Sequence, residues 1–245
     1  MDKIPLETCG EESVVRFRDC FSVRYIQSAA LLCQLAFNIE QENRHIPEVP
    51  AEILLRHEAF VLNSVLSSVA FLETTINELY ADAADEVSFS FDGKQDVLLR
   101  RIHEAWTNEK NFDRAPLLTR YQKILAIADK PVFLDGDRAY DNVRDLIGIR
   151  NHLMHYRREW VVIGKRPAGP SDEDTAVRKF EKRLKAKFAP NPFALNNRPF
   201  FPDTCLGHGC AEWAAINSLI FCDEFFRRLA LTAPYECVRN EMATR

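Results

Sequence analysis

The sequence predicts an all-α protein, on three observations. Apolar residues recur at helical spacing along most of the 245-residue chain. Only eight residues are glycine, and neither an internal repeat nor a low-complexity segment interrupts the helical pattern. No segment alternates apolar and polar residues as a half-buried strand would, except that residues 160–163, Trp-Val-Val-Ile, leave a short strand open.

Seven helices are predicted in chain order. They cover residues 12–40, 51–84, 97–106, 117–128, 137–160, 174–188 and 210–231. Pro47 and Pro50 separate the first two, and the pair Asp92-Gly93 interrupts the chain before the third. A turn over residues 131–136 precedes the fifth helix, for which Asp137 is a suitable N-cap.

Residues 161–208 differ from the rest of the chain and are expected to form an insertion. They begin with a Lys/Arg/Pro/Gly segment at 165–170, continue through a charged helix, and end in a Pro/Asn/Phe-rich stretch at 189–202. That stretch is too aromatic for a disordered linker. Three phenylalanines are expected to pin it onto the bundle, namely Phe193, Phe200 and Phe201. The prediction is one domain over 1–245, with a core of about 51–160 and 209–232.

Cysteine usage and the N-terminus favour a cytoplasmic protein. Residues 1–10 hold no apolar signal core, and no run approaches transmembrane length, so no membrane partner is expected. The chain has seven cysteines, and Cys20, Cys33 and Cys222 lie in apolar helical patterns that predict buried free thiols. Residues 205–210, Cys-Leu-Gly-His-Gly-Cys, lack a second ligand pair, so a glycine-rich turn is favoured over a zinc site and no cofactor is expected.

Charge is unevenly distributed along the chain. Residues 144–187 contain twelve Lys/Arg and six Asp/Glu, although the whole chain carries a formal charge of −4. A basic segment in an otherwise acidic chain is a candidate footprint for phosphate groups. A basic helix that is merely solvated remains an equal alternative.

The basic segment begins beside the most informative motif, Arg-Asn-His-Leu-Met-His at residues 150–155. A guanidinium can bind a phosphate through two parallel hydrogen bonds, and a histidine can transfer protons near neutral pH. An amide can orient either group. These residue types therefore suit RNA phosphodiester chemistry, although an arginine and a histidine near a helix end often only solvate a surface.

The position of the motif on its helix strengthens the chemical interpretation. Arg150 follows Ile147 by three residues and falls where an apolar residue is expected. Asn151 and His155 share a face, and Arg150 lies about 140° around the helix from His155, so that the two would flank a groove. Gly148, one turn earlier, either admits a neighbouring helix or ligand or is a tolerated defect.

Glu73 is the second unusual position. It lies four residues after Val69 and three before Ile76, which predicts the inward face of the long second helix, and Asn77 follows it by four. A buried acid needs a partner, and Arg150 is the expected one. The pair would be either a structural ion pair or a carboxylate that orients Arg150 for chemistry.

Taken together, these features resemble the HEPN superfamily of helical domains. Its ribonuclease members carry an R-x(4–6)-H motif, matched here by Arg150 and His155 with the usual polar residue, Asn151, after the arginine. The resemblance covers roughly residues 50–230 and includes an acidic residue, Glu73, on an early long helix. Three segments resemble helices of uncharacterised bacterial HEPN-like proteins, namely residues 71–79, 120–125 and 211–214.

The resemblance implies a metal-independent endoribonuclease for defence or toxin-type growth control. Such enzymes are typically homodimers, in which two motif helices face each other across a two-fold axis. His155 would be the general acid or base, Arg150 would stabilise charge on the phosphate, Asn151 would position substrate or His155, and Glu73 would orient Arg150. Four residues around the motif are expected to contact the RNA, namely Arg144, His152, Arg157 and Arg158.

Two departures and two alternatives accompany this interpretation. In the toxin branch that is silenced by nucleotidylation a tyrosine lies two residues after the histidine, whereas here Arg157 has that position and Tyr156 precedes it. His152 is a second candidate imidazole. The alternatives are a catalytically inactive HEPN-like module for dimerisation or for binding RNA or protein, and an unrelated helical protein. An antitoxin or regulatory protein is a further expected partner.

Overall fold

The computed structural model describes residues 19–84, 94–108, 114–156, 176–195 and 198–245. All regular structure in these ranges is helical and none is strand, which confirms the all-α prediction; residues 160–163 lie outside them. The helices are α1 (Phe21–Asn43), α2 (Ala51–Ala84), α3 (Lys94–Asn108), α4 (Leu117–Ile127), α5 (Arg138–Met154), α6 (Ala176–Leu184) and α7 (His208–Leu229). Short helical turns cover Phe200–Thr204 and Glu236–Glu241.

Helix α2 is the element around which the others pack. It contacts α1 along much of its length and also α7, α3, α5 and α4. Its inner side is mainly apolar, and Val61, Val65, Leu72 and Ile76 are completely buried there. On the α1 side the Ser64 hydroxyl donates a 2.8 Å hydrogen bond to a backbone carbonyl of α1. The opposite edge of α2 is thereby left for α4 and α5.

Helix α2 has the length and composition of a membrane-crossing helix, so the expectation that no segment approaches transmembrane length is wrong for this helix. It is the one described helix with this property, and half of its most apolar window is buried inside the fold. Core helices that are packed on one face meet the same two criteria, because length and mean apolarity do not record which neighbour covers the side chains.

Two tyrosines fix α4 onto α2. The Tyr121 hydroxyl donates a 2.7 Å hydrogen bond to the Leu72 carbonyl, and the Tyr80 hydroxyl donates to the Arg120 carbonyl at 3.3 Å. Burial raises the pKa of the Tyr121 phenol well above its usual range, so it remains a neutral donor. These bonds set the depth at which the Arg120 side chain meets α2.

Helix α5 begins as predicted and ends earlier. Asp137 is its N-cap residue by backbone position, although the carboxylate accepts from the Leu134 N–H rather than from the first turn. The prediction that the helix continues to about residue 160 is wrong, because Met154 is its last residue. Met154, His155 and Tyr156 are all exposed, so a longer helix would bury no further apolar face at this point.

Helix α6 packs closely against α5. Phe180 of α6 lies over Gly148, where an added Cβ would be 2.8 Å from the ring. This confirms the expectation that Gly148 admits a neighbouring helix. Phe201 is buried, and the Phe193 ring meets the His57 ring edge-on at 5.0 Å, so the aromatic loop is pinned to the bundle as predicted.

The cysteines are free thiols among the described residues. Cys33 and Cys222 are buried as predicted, and burial raises the pKa of each thiol to about 12. The same prediction for Cys20 is wrong, because Cys20 precedes α1 at the N-cap position and is exposed. The predicted turn covers residues 205–207, and α7 begins at His208, two residues before the predicted start.

Candidate functional site

The predicted pair between α2 and α5 is present. The Arg150 Nη2 atom lies 3.6 Å from the Glu73 Oε2 atom. Arg150 is half-buried as its place on the apolar stripe predicted, with 26% of its side chain exposed. Val143, Leu146 and Ile149 are completely buried and fix the rotation of α5 that directs Arg150 to α2.

A second arginine, which the sequence interpretation did not assign, approaches the same carboxylate. The Arg120 Nη2 atom of α4 lies 3.7 Å from the Glu73 Oε1 atom, and only 8% of the Arg120 side chain is exposed. The Nη1 atom of Arg120 donates to the Asn77 side-chain carbonyl. Arg120 lies between Leu117 and Ile124 on the apolar stripe of α4, which is the same signal that singled out Arg150.

Glu73 itself is not on the inward face, and that prediction is wrong. Its side chain is 44% exposed, and Asn77, one turn later, is exposed. The buried positions of this turn are Leu72, Thr75 and Ile76, because α1 and α7 cover that side of α2. Glu73 therefore lies at the rim of the bundle, where α4 and α5 bring their arginines to it.

Asn151 and His155 lie at the exposed C-terminal end of α5. The His155 N–H donates a 3.0 Å hydrogen bond to the Asn151 carbonyl, which closes the last turn. His155 has φ −113° and ψ 29° and stands outside the helix. Because the chain leaves the helix here, the 100° per residue rule that placed His155 on the Asn151 face does not apply to it.

His152, the other histidine of the motif, is half-buried in packing. Its Nδ1 atom donates a 2.7 Å hydrogen bond to the Gly148 carbonyl. Its ring stacks on Phe180 with centroids 4.7 Å apart and planes within 8°, and it meets Phe201 edge-on. The two histidines therefore have different surroundings, although only three positions separate them.

Three further arginines are predicted to contact RNA, and the structure describes one of them. Arg144 is half-exposed and makes ion pairs with Asp135 at 3.0 Å and Asp141 at 2.8 Å. Arg157 and Arg158 lie outside the described residues. The structure thus brings Glu73, Asn77, Arg120 and Arg150 together, and leaves Asn151 and His155 at the helix end beyond them.

Part of the basic segment is used inside the fold. Asp145 of α5 is 3% exposed and pairs with Arg183 at 3.1 Å and Lys187 at 3.2 Å. The Lys187 ammonium also lies 5.6 Å from the centre of the Trp213 ring. Two of the twelve basic residues therefore pair with a buried acid, which offsets one of their two positive charges.

Comparisons with protein-family models, curated proteins and solved structures gave no match to this chain. Within the described ranges, no three or more His, Cys, Asp and Glu side chains form a group that could hold a metal ion. The Cys205 and Cys210 thiols are buried, and burial raises the pKa of both.

Proposed function

We propose that the chain is a metal-independent endoribonuclease of the cytoplasm that acts in defence or toxin-type growth control. The observation that carries the proposal is the setting of Arg150. Its guanidinium is half-buried on α5, contacts Glu73 of α2, and precedes the exposed His155 by five positions. A half-buried guanidinium at the edge of a helical bundle is suited to bind and orient a phosphate.

The proposed reaction is an internal transfer at phosphorus. The RNA 2′-oxygen attacks the adjacent phosphate and gives up its proton, the bond to the 5′-oxygen breaks, and that oxygen receives a proton. The products are a 2′,3′-cyclic phosphate and a 5′-hydroxyl. Arg150 stabilises the negative charge that develops on the phosphate oxygens, His155 transfers a proton, and Asn151 positions the substrate or His155.

A homodimer would supply the second proton-transfer group. One imidazole cannot easily act as base and acid in the same step, whereas two copies related by a two-fold axis bring two His155 residues to one site. Met154 and Tyr156 flank His155 and expose 62% and 54% of their surface. Exposed apolar side chains beside the motif are the kind of surface that a second copy would cover.

A catalytically inactive HEPN-like dimerisation or binding module is the alternative, and one observation favours it. Among the described residues no hydrogen bond orients the His155 ring, whereas catalytic histidines are normally held by a second group. On this alternative the same surface at the end of α5 binds RNA or a protein without cleaving RNA.

Cleavage of bulk RNA in excess EDTA separates the two functions. The wild-type chain is expected to produce fragments with 2′,3′-cyclic phosphate ends, and His155→Ala is expected to lower the rate by about 10²–10³-fold. His45→Ala is the matched control, because it removes another exposed imidazole from the connection between α1 and α2. Equal cleavage by wild type and His155→Ala, or no cleavage by either, would reject the enzyme.

A further inference from the structure

The group of Glu73, Asn77, Arg120 and Arg150 carries an excess of positive charge. Two guanidinium groups from α4 and α5 flank one carboxylate from α2. Asn77 is neutral, so the four residues carry a net charge of +1. An additional cation at a partly buried position is unfavourable unless a further anion is present.

The ion pairs of this group are too long to be hydrogen bonds. The two N–O distances to Glu73 are 3.6 and 3.7 Å, whereas charge-assisted hydrogen bonds are about 2.7–2.9 Å long. The Glu73 carboxylate is also 44% exposed. It is therefore attracted to both arginines but is not fixed by either, and rotation of the side chain into water would cost little.

Arg120 has a buried donor that the described residues do not satisfy. More than nine-tenths of its side chain is buried, yet its Nε atom has no hydrogen-bond partner in the described part of the chain. An arginine offers five N–H donors and has no neutral state in proteins, so burial with one donor unpaired and another only loosely paired is costly. A phosphate oxygen would offer the Nη2 group a closer acceptor than the Glu73 carboxylate does at 3.7 Å.

We propose that Arg120 and Arg150 together form a phosphate-binding site, and that the Glu73 carboxylate occupies this site until a phosphate of the RNA backbone displaces it. The inference rests on the proposed function in taking the ligand to be an RNA phosphodiester. Arg120 then adds a second guanidinium to the one that the motif supplies. Glu73 acts as an internal competitor that keeps the two cations together in the unliganded protein.

The two possible roles of Glu73 predict different effects of Glu73→Gln on phosphate binding. If Glu73 only held the arginines in place, Glu73→Gln would weaken phosphate binding or leave it unchanged. If Glu73 competes with phosphate, Glu73→Gln removes the competitor and keeps the shape of the side chain. Two loose ion pairs are then released, which corresponds to about three- to tenfold tighter binding.

The test measures binding of a fluorescein-labelled oligothymidylate by fluorescence anisotropy at fixed salt concentration. This probe has a phosphodiester backbone and no 2′-hydroxyl, so it reports binding without cleavage. Glu58→Gln is the matched control, because Glu58 is exposed on the same helix, fifteen residues away, and its loss changes the net charge equally. Glu73→Gln is expected to bind about three- to tenfold more tightly than Glu58→Gln.

Arg120→Met and Arg120→Lys complete the design. In a double-mutant comparison, Arg120→Met is expected to abolish most of the gain that Glu73→Gln produces, and Arg120→Lys, which cannot form a bidentate fork, to keep part of it. Equal affinities of Glu73→Gln and Glu58→Gln would overturn the proposal even if RNA is cleaved. A gain in affinity without RNA cleavage would retain the phosphate site and reject the ribonuclease.

Discussion

Helix α5 presents charged and polar residues on two sides, and the two sides are used differently. On the α6 side, Asp145 is 3% exposed and its ion pairs are 3.1 and 3.2 Å long. On the α2 side, Arg150 meets a carboxylate that is 44% exposed, at 3.6 Å. The first side has the close, buried contacts of packing, and the second has loose contacts at the rim.

This difference identifies which charges are available for function. Arg183 and Lys187 are bound to a buried acid, and the His152 ring is held between a carbonyl and two phenylalanines. Their removal should therefore change the free energy of unfolding. Arg150 is only loosely paired with Glu73, so its removal should change ligand binding and chemistry more than stability. Four substitutions test this division.

Asp145→Ala should have the largest effect on stability. The substitution removes the buried carboxylate that pairs with Arg183 and Lys187, and the loss of two contacts to a charged group costs about 3 kcal/mol in the free energy of unfolding. Urea denaturation measures it. The control is Asp135→Ala, which removes a 3.0 Å pair with Arg144 at a side chain that is 91% exposed, and should change stability by less than about 0.5 kcal/mol. Equal losses in the two variants would contradict the division.

Arg150→Ala should affect RNA cleavage strongly and stability only slightly. It is expected to lower the rate of RNA cleavage by about 10²–10³-fold, because it removes a donor to the developing phosphate charge. The change in unfolding free energy should be below about 1 kcal/mol, since the Glu73 carboxylate that it leaves unpaired already contacts water. Cleavage kinetics and urea denaturation on the same preparation measure both quantities. A large loss of stability with unchanged cleavage would show that Arg150 stabilises the fold and does not act on RNA.

His152→Ala should lower stability by about 2 kcal/mol and leave cleavage by the folded protein unchanged. The loss combines the hydrogen bond to Gly148, about 1 kcal/mol, with the aromatic contacts to Phe180 and Phe201. Thermal unfolding and a cleavage assay below the transition measure the two effects. His155→Ala provides the internal comparison, with unchanged unfolding. If His152→Ala abolishes cleavage and His155→Ala does not, the roles of the two histidines are reversed.

Gly148→Ala should have the smallest effect, a net loss of about 1 kcal/mol. The added Cβ would lie 2.8 Å from the Phe180 ring, which is buried and stacked on His152, so the ring must shift. Alanine is a better helix former than glycine by about 1 kcal/mol, which offsets part of the strain. Urea denaturation measures the balance. A stabilised variant would show that α6 yields easily and that the contact is weak.

The sequence predicted the helices well because their signals are local. The break at Pro50 and the extent of the apolar stripe predicted both ends of α2. Asp137 predicted the start of α5. The end of α5 could not be predicted in the same way. Helical spacing continues past Met154, but the helix ends where Met154, His155 and Tyr156 are exposed. Exposure depends on tertiary neighbours, which a local pattern does not show.

From the sequence alone, Arg150 is recognisable as a residue that needs a partner, because a charged residue on an apolar stripe is costly when unpaired. The packing of the helices brings Arg120 of α4 to the same carboxylate, leaves Glu73 at the rim instead of on the predicted inward face, and packs His152 rather than His155. The physical reason is that periodicity specifies the side of a helix on which a residue lies. The residue it meets there depends on helices distant in sequence, whose relative positions are set by packing of the whole core.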